Sequence, residues 1–113
     1  MQPLPWQPPI ELSEQEEQIV KKIRKAKLVV FLRQHRHELF DEAFQHELAS
    51  LYRKAERGQP PVAPAMLALA LILEAYTGVS DAEVIEATVM DRRWQLVLDC
   101  LDTEQAPFSK GTL

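Results

Sequence analysis

The segment Tyr76-Thr77-Gly78-Val79-Ser80-Asp81 constrains this chain more than any other. Gly78 follows an almost unbroken apolar run from Ala65 to Tyr76 and is the residue type that closes a helix in the left-handed conformation. Ser80 is a helix N-cap residue, and Glu83 three positions later completes a capping box. Val79 and Val84 occupy the N′ and N4 positions of a hydrophobic staple. A stop and a start two residues apart define a tight corner between two helices. Pro64 suits the first position of the preceding helix, so the spacing predicts a helix–turn–helix-like hairpin over Pro64–Met90. Only Glu74 interrupts the apolar character of Ala65–Tyr76. A helix apolar on every side must be surrounded, so this one is expected to be the central core helix.

The remaining elements also read as helices. Ser13 and Glu16 form a second capping box, and Ile19, Val20 and Ile23 give the helix behind it an apolar stripe. Leu28 to Leu32 is apolar all round; helix is preferred to strand because nothing else in the chain offers a strand to pair with it. From His37 to Arg57, Phe40, Phe44, Leu48, Leu51, Tyr52 and Ala55 recur at three- and four-residue steps. Asp41 can cap a second start in this region, which leaves one helix or two open. Lys54, Arg57 and Gly58 mark its stop, and Gln59 to Pro64 forms a stiff connector. Further helices are expected over about Asp81–Met90 and about Asp91–Leu101, the second carrying Trp94, Val97, Leu98 and Leu101. The expected fold is therefore all-α, a compact bundle of about five helices. It divides into an extended proline-rich arm (1–12), a helical domain (13–106) and the start of a further helix (107–113), where Phe108 and Ser109 read as N′ and N-cap. Trp6, among four prolines in the first ten residues, is expected to pack back on the domain or to await a partner.

Composition narrows the function classes. The 113 residues are 46% hydrophobic, enough for one domain to bury a core without staples. A lone cysteine, Cys100, rules out an internal disulfide framework and suits a reducing compartment. The start lacks the basic and apolar regions of a signal peptide, and the longest apolar run is broken at Pro64. A cytoplasmic protein without a membrane partner is expected. The net charge of −4 argues against a strongly basic nucleic-acid binder, yet seven of the 13 Lys and Arg residues lie between Lys21 and Arg36. Such asymmetry can steer a polyanion to one face.

The cationic candidates for phosphate contact are therefore Lys21, Lys22, Arg24, Lys25, Lys27, Arg33 and Arg36, together with Arg92 and Arg93 at the start of a helix. A solvated helix face, or ion pairing of the arginines with Asp91 or nearby Glu, would explain the same residues structurally. The helix after Gly78 makes a poor DNA reader, because Asp81, Glu83 and Glu86 would face the phosphates. A structural hairpin is the better account of it. His35, His37 and His46 do not converge with a cysteine as a zinc site requires. Cys100 sits among apolar neighbours without the basic context of a nucleophile. No catalytic residue, metal ligand or cofactor site is assigned.

The segments HELFDEAFQHEL (His37–Leu48) and GQPPVAPAMLALALILEAYTGVSDAEVIEATVMDRRWQLVLDCL (Gly58–Leu101), with PFS (Pro107–Ser109), resemble the N-terminal domain of bacterial insertion-sequence transposases of the IS1182/IS5-like group. The resemblance covers roughly residues 31 to 113, and its pieces share order and spacing. It implies a parent enzyme that cuts and joins element ends with two Asp and one Glu holding divalent metal. In that family these carboxylates belong to a downstream ribonuclease-H-like domain, so this chain is expected to be a non-catalytic part. The implied partner is transposon-end DNA. A protein-interaction or homodimerisation module is the alternative, since two element ends must be paired.

Overall fold

Each helix begins or ends where a specific backbone partner is available. The computed structural model describes residues 6–55 and 62–113, the side chains of 51–55 excepted. Among the described residues there are six α-helices and a terminal 3-10 turn, and no strand. They are α1 (Glu14–Lys22), α2 (Lys27–Leu39), α3 (Glu42–Ala55), α4 (Pro64–Thr77), α5 (Asp81–Met90) and α6 (Arg92–Leu98), with the turn at Lys110–Thr112. The fold is all-α as expected, with one helix more than anticipated.

The extra helix arises at Phe40. There the backbone leaves helical geometry (φ −121°, ψ 66°), and the Asp41 carboxylate accepts from the Phe44 N–H at 2.8 Å. Asp41 thus starts a new helix, which settles the choice between one and two. Leu28–Leu32 lies within α2, as preferred. Both capping boxes form as the sequence indicates, Ser13 with Glu16 and Ser80 with Glu83. Gly78 caps α4 at φ 75°, and α4 and α5 are bent by 108° at the joint. The expected stop at Gly58, its neighbour Arg57 and the Gln59–Pro61 part of the connector lie outside the described residues, as do the side chains of Leu51, Tyr52, Lys54 and Ala55.

The centre of the core is α6, not α4. This seven-residue helix packs against α1, α2, α4 and α5, and every residue from Trp94 to Leu98 is buried. Its buried Gln95 makes this possible, donating from its amide to the carbonyl oxygens of Thr88 and Val89 at 3.0 and 3.1 Å. The helix α4 is buried along Ala65, Leu67, Leu69, Ala70 and Leu73, but Leu71 and Ile72 remain 38% exposed and Tyr76 54%. It is therefore covered on one side only. The helix α6 also ends earlier than expected. Asp99 adopts the left-handed conformation (φ 58°) and Cys100 N–H donates back to the Gln95 carbonyl oxygen at 3.0 Å, the long bond of a Schellman-type end. An Asp there carries no glycine signal, although its short side chain tolerates this geometry.

A single cluster of buried side chains joins Ile19, Val29, Leu32, Phe40, Val84 and Phe108 to α4 and α6. Trp6 packs against it: its main-chain N–H donates to Gln45 Oε1 at 2.6 Å, and Gln45 Nε2 donates back to the Trp6 carbonyl oxygen at 2.9 Å. Phe108 is part of this core, and Ser109 precedes a single 3-10 turn rather than a helix.

Arg33 and Arg36 also belong inside. They are 1% and 2% exposed. Arg33 forms a two-pronged pair with Glu16, Nε to Oε2 at 2.9 Å and Nη2 to Oε1 at 3.0 Å, and donates to the carbonyls of Ile10 and Glu11. Arg36 donates to the carbonyls of Leu96, Val97 and Pro9 and lies over the Trp6 ring at 5.6 Å. Burial, then the charge of Arg33, lowers Arg36 to about 10, which leaves it charged at neutral pH. Burial pushes Glu16 upward, but the hydrogen bonds from Arg33 and Ser13 and the charges of Arg33 and Arg36 outweigh it. The net result is a carboxylate below its ordinary value of 4.5.

Two stability outcomes follow from these contacts. Glu16→Gln keeps the capping geometry but strands the Arg33 charge, and should cost about 3 kcal/mol in a urea titration. Because Glu16 is depressed in the folded state, its contribution is complete above 4.5 and is lost as pH falls through the lower folded value. The variant should therefore show a shallower acid limb than the parent. At Gly78 an added Cβ meets nothing within 4 Å, so Gly78→Ala should cost only the left-handed backbone penalty, about 1 kcal/mol. A larger loss would mean that the corner is packed more tightly than this geometry allows.

Candidate nucleic-acid interface

The last turn of α1 carries Lys21 and Lys22, where the helix dipole favours cations. Ile23 then leaves helical geometry (φ −80°, ψ 114°), and Arg24 and Lys25 form a bend before α2 starts at Lys27. Opposite this bend stands the first turn of α6, since α1 packs on α6. Asp91 is the N-cap there and accepts from the Arg93 N–H at 2.9 Å. Arg92 and Arg93 follow directly.

Between these two pieces lies a groove of about 290 Å³, lined by Ile19, Lys22, Ile23, Arg24, Lys25, Ala26, Arg92 and Arg93. Five cationic side chains from distant parts of the sequence thus surround one opening, with no carboxylate in the lining. Lys22, Arg24, Lys25, Arg92 and Arg93 are all exposed. Among the described residues only Arg93 of the five has a carboxylate partner: Asp91 takes its Nη2 at 2.8 Å and its Nε at 3.1 Å. That contact raises Arg93 above its ordinary value; at Asp91 burial is opposed by hydrogen bonds from Arg93, with a net lowering. The ion-pair explanation therefore accounts for Arg93 but not for Arg92.

Of the nine cations singled out in the sequence, these five converge. Lys21 and Lys27 are exposed on the flanks of the same bend without lining the groove. Arg33 and Arg36 must be removed from the candidate set. Their donors, the Nε of Arg36 excepted, are engaged by Glu16 and main-chain carbonyls, and neither side chain reaches solvent. Sequence proximity grouped them with the surface lysines, whereas the helical repeat turns them inward. Ile23 and Ala26, the apolar floor beside the buried Ile19, were not legible as site residues because the pattern marks isoleucines there only as core.

A family model described as Transposase domain (DUF772) matches residues 16–113. The chain belongs to that family. No curated protein and no solved structure matches it. The family match bears out the resemblance seen in the sequence at the level of a transposase domain, and reaches further towards the N-terminus, taking in Glu16 and the rest of α1 after it.

The other residues of interest in this transposase domain have structural surroundings. Asp81, Glu83 and Glu86 are exposed on α5, with Glu83 engaged in its capping box. Among the described residues no group of three or more His, Cys, Asp or Glu is placed to hold a metal ion. His35 Nδ1 lies 2.9 Å and His37 Nε2 3.7 Å from the same Glu38 oxygen, and His46 is exposed on α3. No single helix among the described residues is long and apolar enough to cross a membrane.

Cys100 is half-buried, its sulfur 4.0 Å from the Thr88 carbonyl oxygen. Burial, and secondarily the Asp99 carboxylate, push its thiol from 9.0 up to about 11. Thiolate is the reactive form. At mildly alkaline pH iodoacetamide should label the folded domain about a hundredfold more slowly than the urea-unfolded chain. The difference should narrow as pH rises towards about 11; equal rates at low pH would place the sulfur in a different environment.

Proposed function

We propose that this transposase domain is a non-catalytic, DNA-contacting part of a transposase, and that it holds the phosphate backbone in the groove between the α1–α2 bend and α6. The observation that carries this reading is the convergence of Lys22, Arg24, Lys25, Arg92 and Arg93 on one opening in a chain whose net charge is −4. Glu83, Glu86 and Asp91 share a neighbouring depression with Arg92 and Arg93, but no carboxylate lines this groove. Position on the helices points the same way. Lys22 has a structural reason for its place at a helix C-terminus, but Arg92 and Arg93 open α6, where cations oppose the helix dipole. Residues that break a local rule for stability are those to examine for function. The partner expected from the family is transposon-end DNA, and phosphate contacts of this kind position a protein on DNA without reading its sequence.

A second reading has its own observation. Leu71, Ile72 and Tyr76 form an open apolar side on α4, and Met90 is 75% exposed at the end of α5. These suit contact with another protein surface or a second copy of the chain.

A fluorescence-anisotropy titration with duplex DNA over a range of salt separates the two. The DNA reading expects a linear log K against log salt with a slope of about −4, since Lys22, Arg24, Lys25 and Arg92 would each release roughly one counterion. Arg92→Ala or Lys25→Ala should each reduce the magnitude of that slope by about 1 and leave helical circular dichroism unchanged. No binding at low salt, together with a mass that rises with concentration in light scattering, would overturn the DNA reading and favour the second.

A further inference from the structure

The groove is more than a cationic edge, because its rim and its floor differ in chemistry. Lys22, Arg24, Lys25, Arg92 and Arg93 supply donors around the opening, while Ile19, Ile23 and Ala26 form an aliphatic floor. Ile19 belongs to the buried core, and Ile23 and Ala26 pack against it. The floor is thus an uncovered edge of the hydrophobic core, left open between α1 and α6. A site that met only phosphates would need the rim alone. In a duplex the bases are stacked inside and their faces are out of reach, so an aliphatic floor has little to cover.

We propose that the groove seats one unpaired nucleotide, its phosphates on the cationic rim and the face of its base and sugar on the half-buried Ile23 and Ala26, with the buried Ile19 behind them. This inference rests on the reading of the groove as a DNA site and specifies the form of DNA it takes. About 290 Å³ lies at the lower end of pockets that hold a small ligand, on the scale of one nucleotide rather than a run of them. Covering the floor removes apolar surface from water on both partners. The planar guanidiniums of Arg24 and Arg92 add surfaces on which a base can lie. A base already unpaired reaches the floor without loss of stacking or pairing, whereas one drawn from a duplex must give up both. Single-stranded DNA is therefore favoured, and the preference belongs to the floor rather than to the charges.

The test compares a fluorescein-labelled oligothymidylate strand with a blunt duplex of the same length, both titrated with the full chain at one low salt concentration. The strand should bind at least about fivefold more tightly. Ile23→Asn and Ala26→Asn should bring the two affinities together without changing the salt dependence, since neither alters the rim. Ala26 is the N-cap of α2 and makes no capping bond, so asparagine there suits the helix start and guards against a folding defect. Equal affinities in the parent, or a duplex preference, would overturn the unpaired-nucleotide assignment while leaving the DNA reading intact. Failure of both probes to bind at low salt would instead remove the DNA reading itself. Folded variants that keep the full strand preference would show that the floor is not its source.

Discussion

Two buried guanidiniums on one helix hold together the parts from which the groove is made. Arg33 ties α2 to α1 through Glu16, and Arg36 ties α2 to the end of α6 through the carbonyls of Leu96 and Val97. The groove walls are α1 and α6, so both walls are referred to the same turn of α2. The arm is fastened by the same groups, since Pro9, Ile10 and Glu11 offer their carbonyl oxygens to these arginines. Burying two like charges side by side is expensive, and here one carboxylate and five main-chain oxygens offset the cost. Arg36 Nε is left without a partner, which measures how crowded the arrangement is. An apolar pair of similar volume could fill the space; only a guanidinium fork can fix the arm, α1 and α6 at defined positions at once.

Much of the fold was legible because its local chemistry is local in sequence. The Ser13–Glu16 and Ser80–Glu83 boxes, Gly78 and Asp41 each act within a few residues, and each appears where the pattern places it. The choice of central helix was not legible in this way. Apolar residues all around α4 suggested that it is enclosed, whereas α6, with a glutamine in its middle and two arginines at its start, is the enclosed one. Gln95 is admissible there only because Thr88 and Val89 present carbonyls to it, and that is a tertiary fact. The early end of α6 at Asp99 escaped for a related reason, since an aspartate in the left-handed conformation leaves no mark that distinguishes it from an aspartate elsewhere.

The candidate site shows the same division. A charge run flagged Lys21 to Arg36 as a unit, but three-dimensional structure splits it into a surface bend and a buried fork. In a helix, residues six or more positions along from a surface lysine can face inward, and Arg33 and Arg36 do so because Glu16 and the arm's carbonyls await them. Conversely Arg92 and Arg93, about seventy residues away, join the lysines only through the packing of α1 on α6. Composition could suggest that cations matter; it could not say which ones share an opening.

The acidity of the chain as a whole does not cancel the character of that opening. The helix α1 is polarised, with Glu14, Glu16 and Glu17 in its first turn and Lys21 and Lys22 in its last. Glu14 lies about 12 Å along the helix from Lys22 at 1.5 Å per residue, beyond the Debye length of about 8 Å at physiological salt. Exposed carboxylates at that distance are largely screened, while an anion within the groove would sit in contact range of the rim. Glu16 is committed to Arg33 inside the fold; Glu17, the nearest of the three along the chain, is exposed about 7.5 Å along the helix from Lys22 but does not line the groove. Asp91 pairs with Arg93 as it caps α6, and Glu83 and Glu86 share with Arg92 and Arg93 a second depression outside the groove. Net charge therefore governs how the chain behaves at long range, and the segregation of charge along α1 and across α6 governs what the groove can hold.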